Sequence, residues 1–235
     1  MSNRFFVGVS GFSYAGWKGR FYPKELAGED FLGYFSQRLN SVEINSSFYA
    51  SPSQSVVHSW AGKTGDDFRF AFKAPRRITH ILKLGEDSIR PAVDMSTTLS
   101  VLGGKRGPIL FQLPPFTRQN LGLLENFLVN TSEIPNKVFE FRHGSWLVDS
   151  TFALLDRYNS AFCIAETEDL EPMFKVTGGT AYFRLRRDAY ETKTIENWAV
   201  KIRKTVTGAG DAYVYLRHDD TGKNAELAQK LKTSL

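Results

Sequence analysis

A single (β/α)₈ barrel spanning residues 1–235 is the fold this chain predicts, and three observations carry it. Eight short hydrophobic runs start roughly 20 to 40 residues apart, room for a strand, a loop and a helix each time. Helical periodicity fills several of the intervals, and alternating strands and helices imply a mostly parallel sheet. Finally, several runs alternate apolar with charged or amide residues. Successive strand side chains point to opposite faces, so such a strand has one face for the surrounding helices and another for a polar interior.

The elements follow in order. The first strand, near 5–10, leads directly out of Met-Ser-Asn-Arg. Between Asp30 and Leu39, Phe31, Tyr34, Phe35 and Leu39 fall on one helical stripe. Strands near 41–45 and 68–73 come next. Gly103-Gly104, ahead of Lys105-Arg106-Gly107-Pro108, reads as a turn before the fourth strand, near 109–113. Pro114 and Pro115 end that strand, because neither can continue a ladder. Leu121 to Val129 has helical spacing, followed by a strand near 137–142, a helix pattern over Thr151 to Tyr158 and a strand near 161–165. The interval before the seventh strand (180–186) is short and broken by Pro172 and Gly178-Gly179, which weakens the case for a helix there. Thr194 to Lys204, a strand near 212–217 and Asn224 to Lys232 complete the chain.

Composition narrows the class. The hydrophobic share is 42%, and 19 Phe with four Trp provide for a largely aromatic core. No apolar run approaches the roughly 20 residues a membrane span needs. No charged-then-apolar signal segment opens the sequence, so a cytoplasmic protein without membrane partners is expected. The lone Cys163 excludes an intrachain disulfide and a cysteine-rich zinc site. A formal charge of +5 is compatible with a phosphorylated metabolite or with nucleic acid.

Strand parity nominates the chemistry. Val42, Ile44, Phe68, Phe70, Phe72, Phe139 and Phe141 share the outer face. Glu43, Asn45, Arg69, Lys73, Gln112, Glu140 and Arg142 take the inner one, continued on strand seven by Tyr182, Arg184 and Arg186. Buried charge must be paired, and one reading pairs Glu43 and Glu140 with Arg69 and Arg142. Two inward carboxylates still face about five cations, a surplus that a small anionic ligand would balance. Glu43, Lys73 and Glu140 are the catalytic candidates: the carboxylates for proton transfer, the lysine as a nucleophilic amine or a phosphate contact. Tyr14, Trp17, Asn45, Tyr49, His80, Gln112, Arg142, His143 and Arg184 are the substrate-binding candidates. Tyr14 and Trp17 belong to a Gly-rich loop whose aromatics, beside Lys18 and Arg20, can stack a base or sugar. No HExxH or paired-histidine spacing calls for a metal, and no cofactor is expected.

Together the motifs resemble the YecE-like family, a group with a TIM-barrel fold and no settled activity. The matching pieces are Gly8-Val-Ser-Gly-Phe-Ser-Tyr14, Trp17-x-Gly19-x-Phe-Tyr-Pro23, Val42-Glu-Ile-Asn-Ser-Ser-Phe-Tyr49, Phe70-Ala-Phe-Lys73 with Thr79-His80, Gly107-Pro-Ile-Leu-Phe-Gln-Leu-Pro-Pro115 and Glu140-Phe-Arg-His-Gly-Ser-Trp146. The resemblance implies the barrel over nearly the whole chain. Two strand ends depart from its pattern. Arg184-Leu-Arg-Arg187 stands where the family reads Arg-Leu-His-Gly, and Leu216-Arg-His218 where it tends to Phe-Asn-Asn. Both make this copy more cationic. The expected function is an enzyme of hydrolase or lyase type acting on a phosphate-bearing or other anionic substrate. A nucleic-acid-binding or nuclease-like protein and a sugar-active enzyme using Glu43 and Glu140 are the alternatives. Oligomeric state is left open.

Overall fold

The computed structural model describes residues 3–167 and 171–235. Eight parallel strands form a nearly closed barrel: β1 Phe5–Val9, β2 Ser41–Ile44, β3 Arg69–Lys73, β4 Arg106–Gln112, β5 Lys137–Glu140, β6 Ala161–Glu166, β7 Ala181–Leu185 and β8 Ala212–Leu216. Hydrogen-bonded neighbours run in the order β1-β8-β7-β6-β5-β4-β3-β2. The helices are α1 Phe31–Ser36, α2 Gln54–Gly62, α3 Ile89–Leu99, α4 Leu121–Asn130, α5 Asp149–Arg157, α6 Thr192–Thr205 and α7 Lys223–Ser234. Among the described residues no helix lies between β6 and β7, as the proline and paired glycines there require. None is long and apolar enough to cross a membrane.

Closure between β1 and β2 takes an unusual form. No continuous ladder joins them; a single bridge pairs Ser10 with Glu43, and Gly11 N–H donates to Glu43 C=O at 2.8 Å. Lower down, the Asn40 side chain replaces the missing ladder. Its amide N–H donates to Phe5 C=O and its carbonyl accepts from Val7 N–H, both at 2.8 Å. Backbone groups that would otherwise be orphaned are thereby paired. The strands pass so closely that a Cβ on Gly8 would lie 1.9 Å from Ser41 O, so only glycine fits.

β4 begins at Arg106, three residues earlier than its hydrophobic pattern indicates. Gly107 and Pro108, which the hydrophobic pattern leaves outside the strand, lie inside it. The β3–β4 register slips between Phe70 and Phe72, and such a bulge lets a proline sit in a sheet without a ladder donor. β5 stops at Glu140, two residues short of expectation.

Within the strands the inner and outer faces are as parity assigns them; Asn45 and Arg142 lie beyond the ends of β2 and β5. Val42, Ile44, Phe70, Phe72, Phe111, Phe139, Phe183 and Val214 join the large core under the helices. A second, smaller cluster fills the barrel with Phe6, Ala71, Leu110, Val138, Cys163, Tyr182, Tyr213 and Tyr215. Phe6 and Tyr213 stack at 4.9 Å. This plug leaves the carboxyl ends of the strands as the open, polar end.

Candidate functional site at the barrel mouth

Above the aromatic plug lies a layer organised by one arginine. Arg184, near the end of β7 and only 2% exposed, holds Glu43 edge-on: Nε to Oε2 and Nη2 to Oε1, both at 2.9 Å. Its Nη1 donates to Glu140 Oε2 at 2.5 Å. Tyr182 OH and Ser10 Oγ each give Glu43 a further hydrogen bond of 2.9 Å, and Gln112 Nε2 donates to Glu140 Oε1 at 2.6 Å. Burial by itself would raise the Glu43 carboxyl. Arg184 and Arg186 overcome that, holding it at about 2. Burial likewise opposes and Arg184 reverses the shift at Glu140, which lies below the usual carboxylate range. Both glutamates are therefore ionised, and Glu43 is saturated with donors.

The expected pairing of these carboxylates with Arg69 and Arg142 is corrected. Arg69 begins β3 at the opposite end of the barrel, where its guanidinium donates to Asp66 O and Phe68 O and lies 5.1 Å from the Phe6 ring centre. Arg142 follows the end of β5 and is exposed. One guanidinium from a strand 141 residues away does the work assigned to two.

Over this floor opens a cavity of about 240 Å³ lined by Lys73, Gln112, Glu140, Arg142, Thr167, Arg184 and Arg186. Larger hollows, about 600 Å³ between α6 and α7 and about 460 Å³ beside Phe174, lie outside the barrel and receive no inward strand residue. Four cations thus meet two carboxylates at the mouth, and Arg184 already engages both carboxylates. Arg186 donates to Ser10 Oγ at 2.6 Å. Burial and then Arg184 push it down to about 10, so it remains charged at neutral pH. Lys73 ends β3 with Nζ 4.1 Å from the Phe48 ring centre. Burial and then Arg184 lower its ammonium to about 8.

The remaining candidates divide. His80 packs edge-on to Phe48, bonds Thr79 through Nδ1 at 2.9 Å and is lowered by burial, Lys73, Arg76 and Arg142. Tyr14 gives its hydroxyl to Ser10 C=O at 2.9 Å and stacks on His218 at 4.8 Å. Asn45 turns out of strand geometry and borders a different cleft, with Phe12, Tyr14 and Trp60; its Oδ1 is buried without a hydrogen-bond partner among the described residues. Tyr49 is 86% exposed on the rim. His143 Nδ1 caps the turn that follows by accepting from Ser145 N–H. Trp17 does not reach the mouth. It is wholly buried against Phe21 and Tyr22, its indole N–H bound to Asp219 C=O at 2.6 Å. Ser10 and Thr167 were not nominated from sequence. For Ser10 the signal was present, since it shares inward parity with Phe6 and Gly8. No group of three His, Cys, Asp or Glu side chains among the described residues is arranged to hold a metal.

Residues 6–235 match the family model described as protein of unknown function DUF72. The chain belongs to the DUF72 family. The YecE protein of Escherichia coli (strain K12) is 35% identical over 115 residues, which cover 48% of the chain and 41% of YecE. YunF of Bacillus subtilis (strain 168) is 28% identical over 133 residues, 53% of the chain and 47% of YunF. The chain thus covers less than half the length of these curated relatives. A DUF72 family crystal structure from Thermotoga maritima superposes with a TM-score of 0.83 at 24% identity, covering 98% of both chains. One from Enterococcus faecalis gives 0.78 at 17%, covering 99% of this chain and 97% of that one. At such identities the likeness establishes the DUF72 barrel and nothing about its chemistry.

Proposed function

We propose that the barrel mouth binds a small phosphate-bearing substrate and that this DUF72 protein is an enzyme acting on it. One observation carries the reading: Arg184 already engages both carboxylates, so Lys73, Arg142 and Arg186 converge on the cavity in excess of the negative charge there and without a salt bridge of their own among the described residues. Uncompensated cations in a partly desolvated cleft cost free energy until an anion arrives. Arg186 offers directional N–H donors, Lys73 a point charge and Arg142 an exposed charge that attracts anions from solution. At about 240 Å³ the cavity suits a metabolite smaller than a drug-sized ligand.

Glu43 and Glu140 then act as anchors of Arg184 and not as an acid and base pair. Both are held ionised, and a glycosidase-like acid needs a raised value. Glu140 borders the cavity and is the carboxylate placed to accept a proton there.

A thermal-shift screen tests the reading, with inorganic phosphate, sugar phosphates, nucleotides, neutral sugars and short single-stranded oligonucleotides at low and high salt. Ligand binding to the native state alone raises the midpoint by mass action. The expected result is a shift from one class of small phosphates that survives salt. A shift confined to oligonucleotides and erased by salt, or one confined to neutral sugars, would overturn it.

A further inference from the structure

We propose that Lys73 is the nucleophile of the mouth site and captures the carbonyl carbon of a small phosphate-bearing aldehyde or ketone as an imine. The inference rests on the anion-binding reading above and adds the reactive group of the substrate.

Lys73 lacks the acceptors that hold the other shielded lysines. Other shielded lysines are tied to backbone oxygens: Lys137 Nζ donates to Thr131 O and Ile134 O at 2.9 and 2.8 Å, and Lys105 Nζ to Ala61 O and Thr64 O at 2.8 and 2.7 Å. Lys73 reaches the cavity from the last position of β3, and among the described residues no carboxylate or carbonyl oxygen holds its amine. Its neighbours are the Phe48 ring at 4.1 Å and a wall of guanidinium groups. A structural ammonium is given acceptors, whereas this one is given an aromatic face and like charge. Burial and the like charge of Arg184 favour the neutral amine against the pull of Glu140, Glu43 and the Phe48 face, and its value of about 8 expresses that balance. At pH 8 half of Lys73 is neutral, roughly a hundredfold more than for an ordinary lysine.

The surroundings suit the complete step. The phosphate sits against Arg142 and Arg186 while the carbonyl lies at Nζ. The amine nitrogen donates its electron pair to the carbonyl carbon, and the C=O π pair moves to oxygen. A proton passes from nitrogen to that oxygen, giving a neutral carbinolamine. With one further proton from solvent the hydroxyl leaves as water, and the nitrogen electron pair forms C=N⁺. The iminium restores the positive charge Lys73 gave up, and the Glu140 carboxylate, which borders the same cavity, stabilises it. No oxidant or reductant is needed.

Borohydride trapping tests this. The full chain is incubated with dihydroxyacetone phosphate, treated with borohydride to reduce C=N to a stable secondary amine, and mapped by peptide mass spectrometry. Inorganic phosphate binding is measured in parallel by calorimetry. The expected result is an adduct concentrated on Lys73, with yield rising as pH passes through 8, and absent from Lys73→Arg, whose cooperative thermal transition shows that it is folded. Phosphate binding with no adduct, or with adducts spread evenly over exposed lysines, would overturn the nucleophile and leave the anion site standing. No phosphate binding, with equal trapping of phosphate-free glyceraldehyde on Lys73, would instead remove the phosphate-bearing substrate.

Discussion

Arg184 and Glu43 face each other edge to edge across the barrel, guanidinium and carboxylate joined by two hydrogen bonds of 2.9 Å. Planar, bidentate pairs of this kind are the strong form of a salt bridge. Removing one partner strands the others in a medium that solvates them poorly. Arg184→Met leaves Glu43 and Glu140 buried without their cation and is expected to cost about 3–5 kcal/mol. Urea unfolding at pH 7 measures it, and an unchanged midpoint would show that the carboxylates find other partners.

The same pair sets the response to acid. Glu43 titrates at about 2 in the folded chain against an ordinary 4.5. A depressed carboxylate stabilises above its unfolded value and loses that contribution as pH falls through the folded one. Stability therefore declines between about pH 4.5 and pH 2, with Glu140 adding in the same direction. Glu43→Gln starts lower at pH 7 but has a shallower acid slope. Parallel slopes for the two proteins would refute the assignment.

Lys73 carries the opposite sign. Its folded value of about 8 lies below the ordinary 10.5, so the native state resists protonating it. That penalty is fully present below pH 8 and fades as pH rises toward 10. Lys73→Met is accordingly expected to stabilise the barrel by about 1–2 kcal/mol at pH 7, after discounting for solvent screening. It should also weaken phosphate binding, the usual exchange between function and stability. Thermal unfolding at pH 7 and pH 10 separates the two proteins only at the lower pH.

Affinity for phosphate should divide by residue. Arg186→Gln removes a charge-assisted donor held by Ser10, expected to weaken inorganic phosphate about tenfold or more. Arg142→Gln, exposed at the rim, should cost less and mainly reduce the salt dependence. Calorimetry at two salt concentrations ranks them, and equal losses would place both arginines in the same role.

At the seam, Asn40→Ala frees Phe5 C=O and Val7 N–H where β1 and β2 lack a ladder. A loss of roughly 2–4 kcal/mol follows from two stranded groups. Gly8→Ala should be worse, since its methyl meets backbone at 1.9 Å and no side chain can yield. Denaturant midpoints of both variants check the order.

Much of this was legible in the residues. Period-two alternation separated Glu43 and Glu140 from Ile44 and Phe139, and the barrel followed from strand spacing. Pairing was not legible. Parity puts Arg69 and Arg184 inside alike, but height along the barrel depends on register. Arg69 opens β3 while Arg184 nearly closes β7, so they sit at opposite ends. The Trp17 loop misled for a related reason: aromatic and basic residues in a glycine-rich run look the same whether rings point to solvent or into the core. Its indole is buried because Asp219 C=O is there to receive it. The early start of β4 was hidden because Gly107 and Pro108 signal a turn unless a bulge absorbs them.

The β1–β2 seam gives the molecule a weak direction. Seven of the eight strand junctions are ladders whose bonds must break cooperatively; the eighth is latched by one amide, one bridge and one backbone bond. A split ring under load parts at its clasp. Breathing of this barrel should accordingly start between β1 and β2, and the Val7 and Gly11 amides should exchange with solvent before those at β4–β5. Ser10 and Glu43 stand on either side of that clasp, so each opening would also loosen the grip on Arg184 and briefly unmake the floor of the mouth.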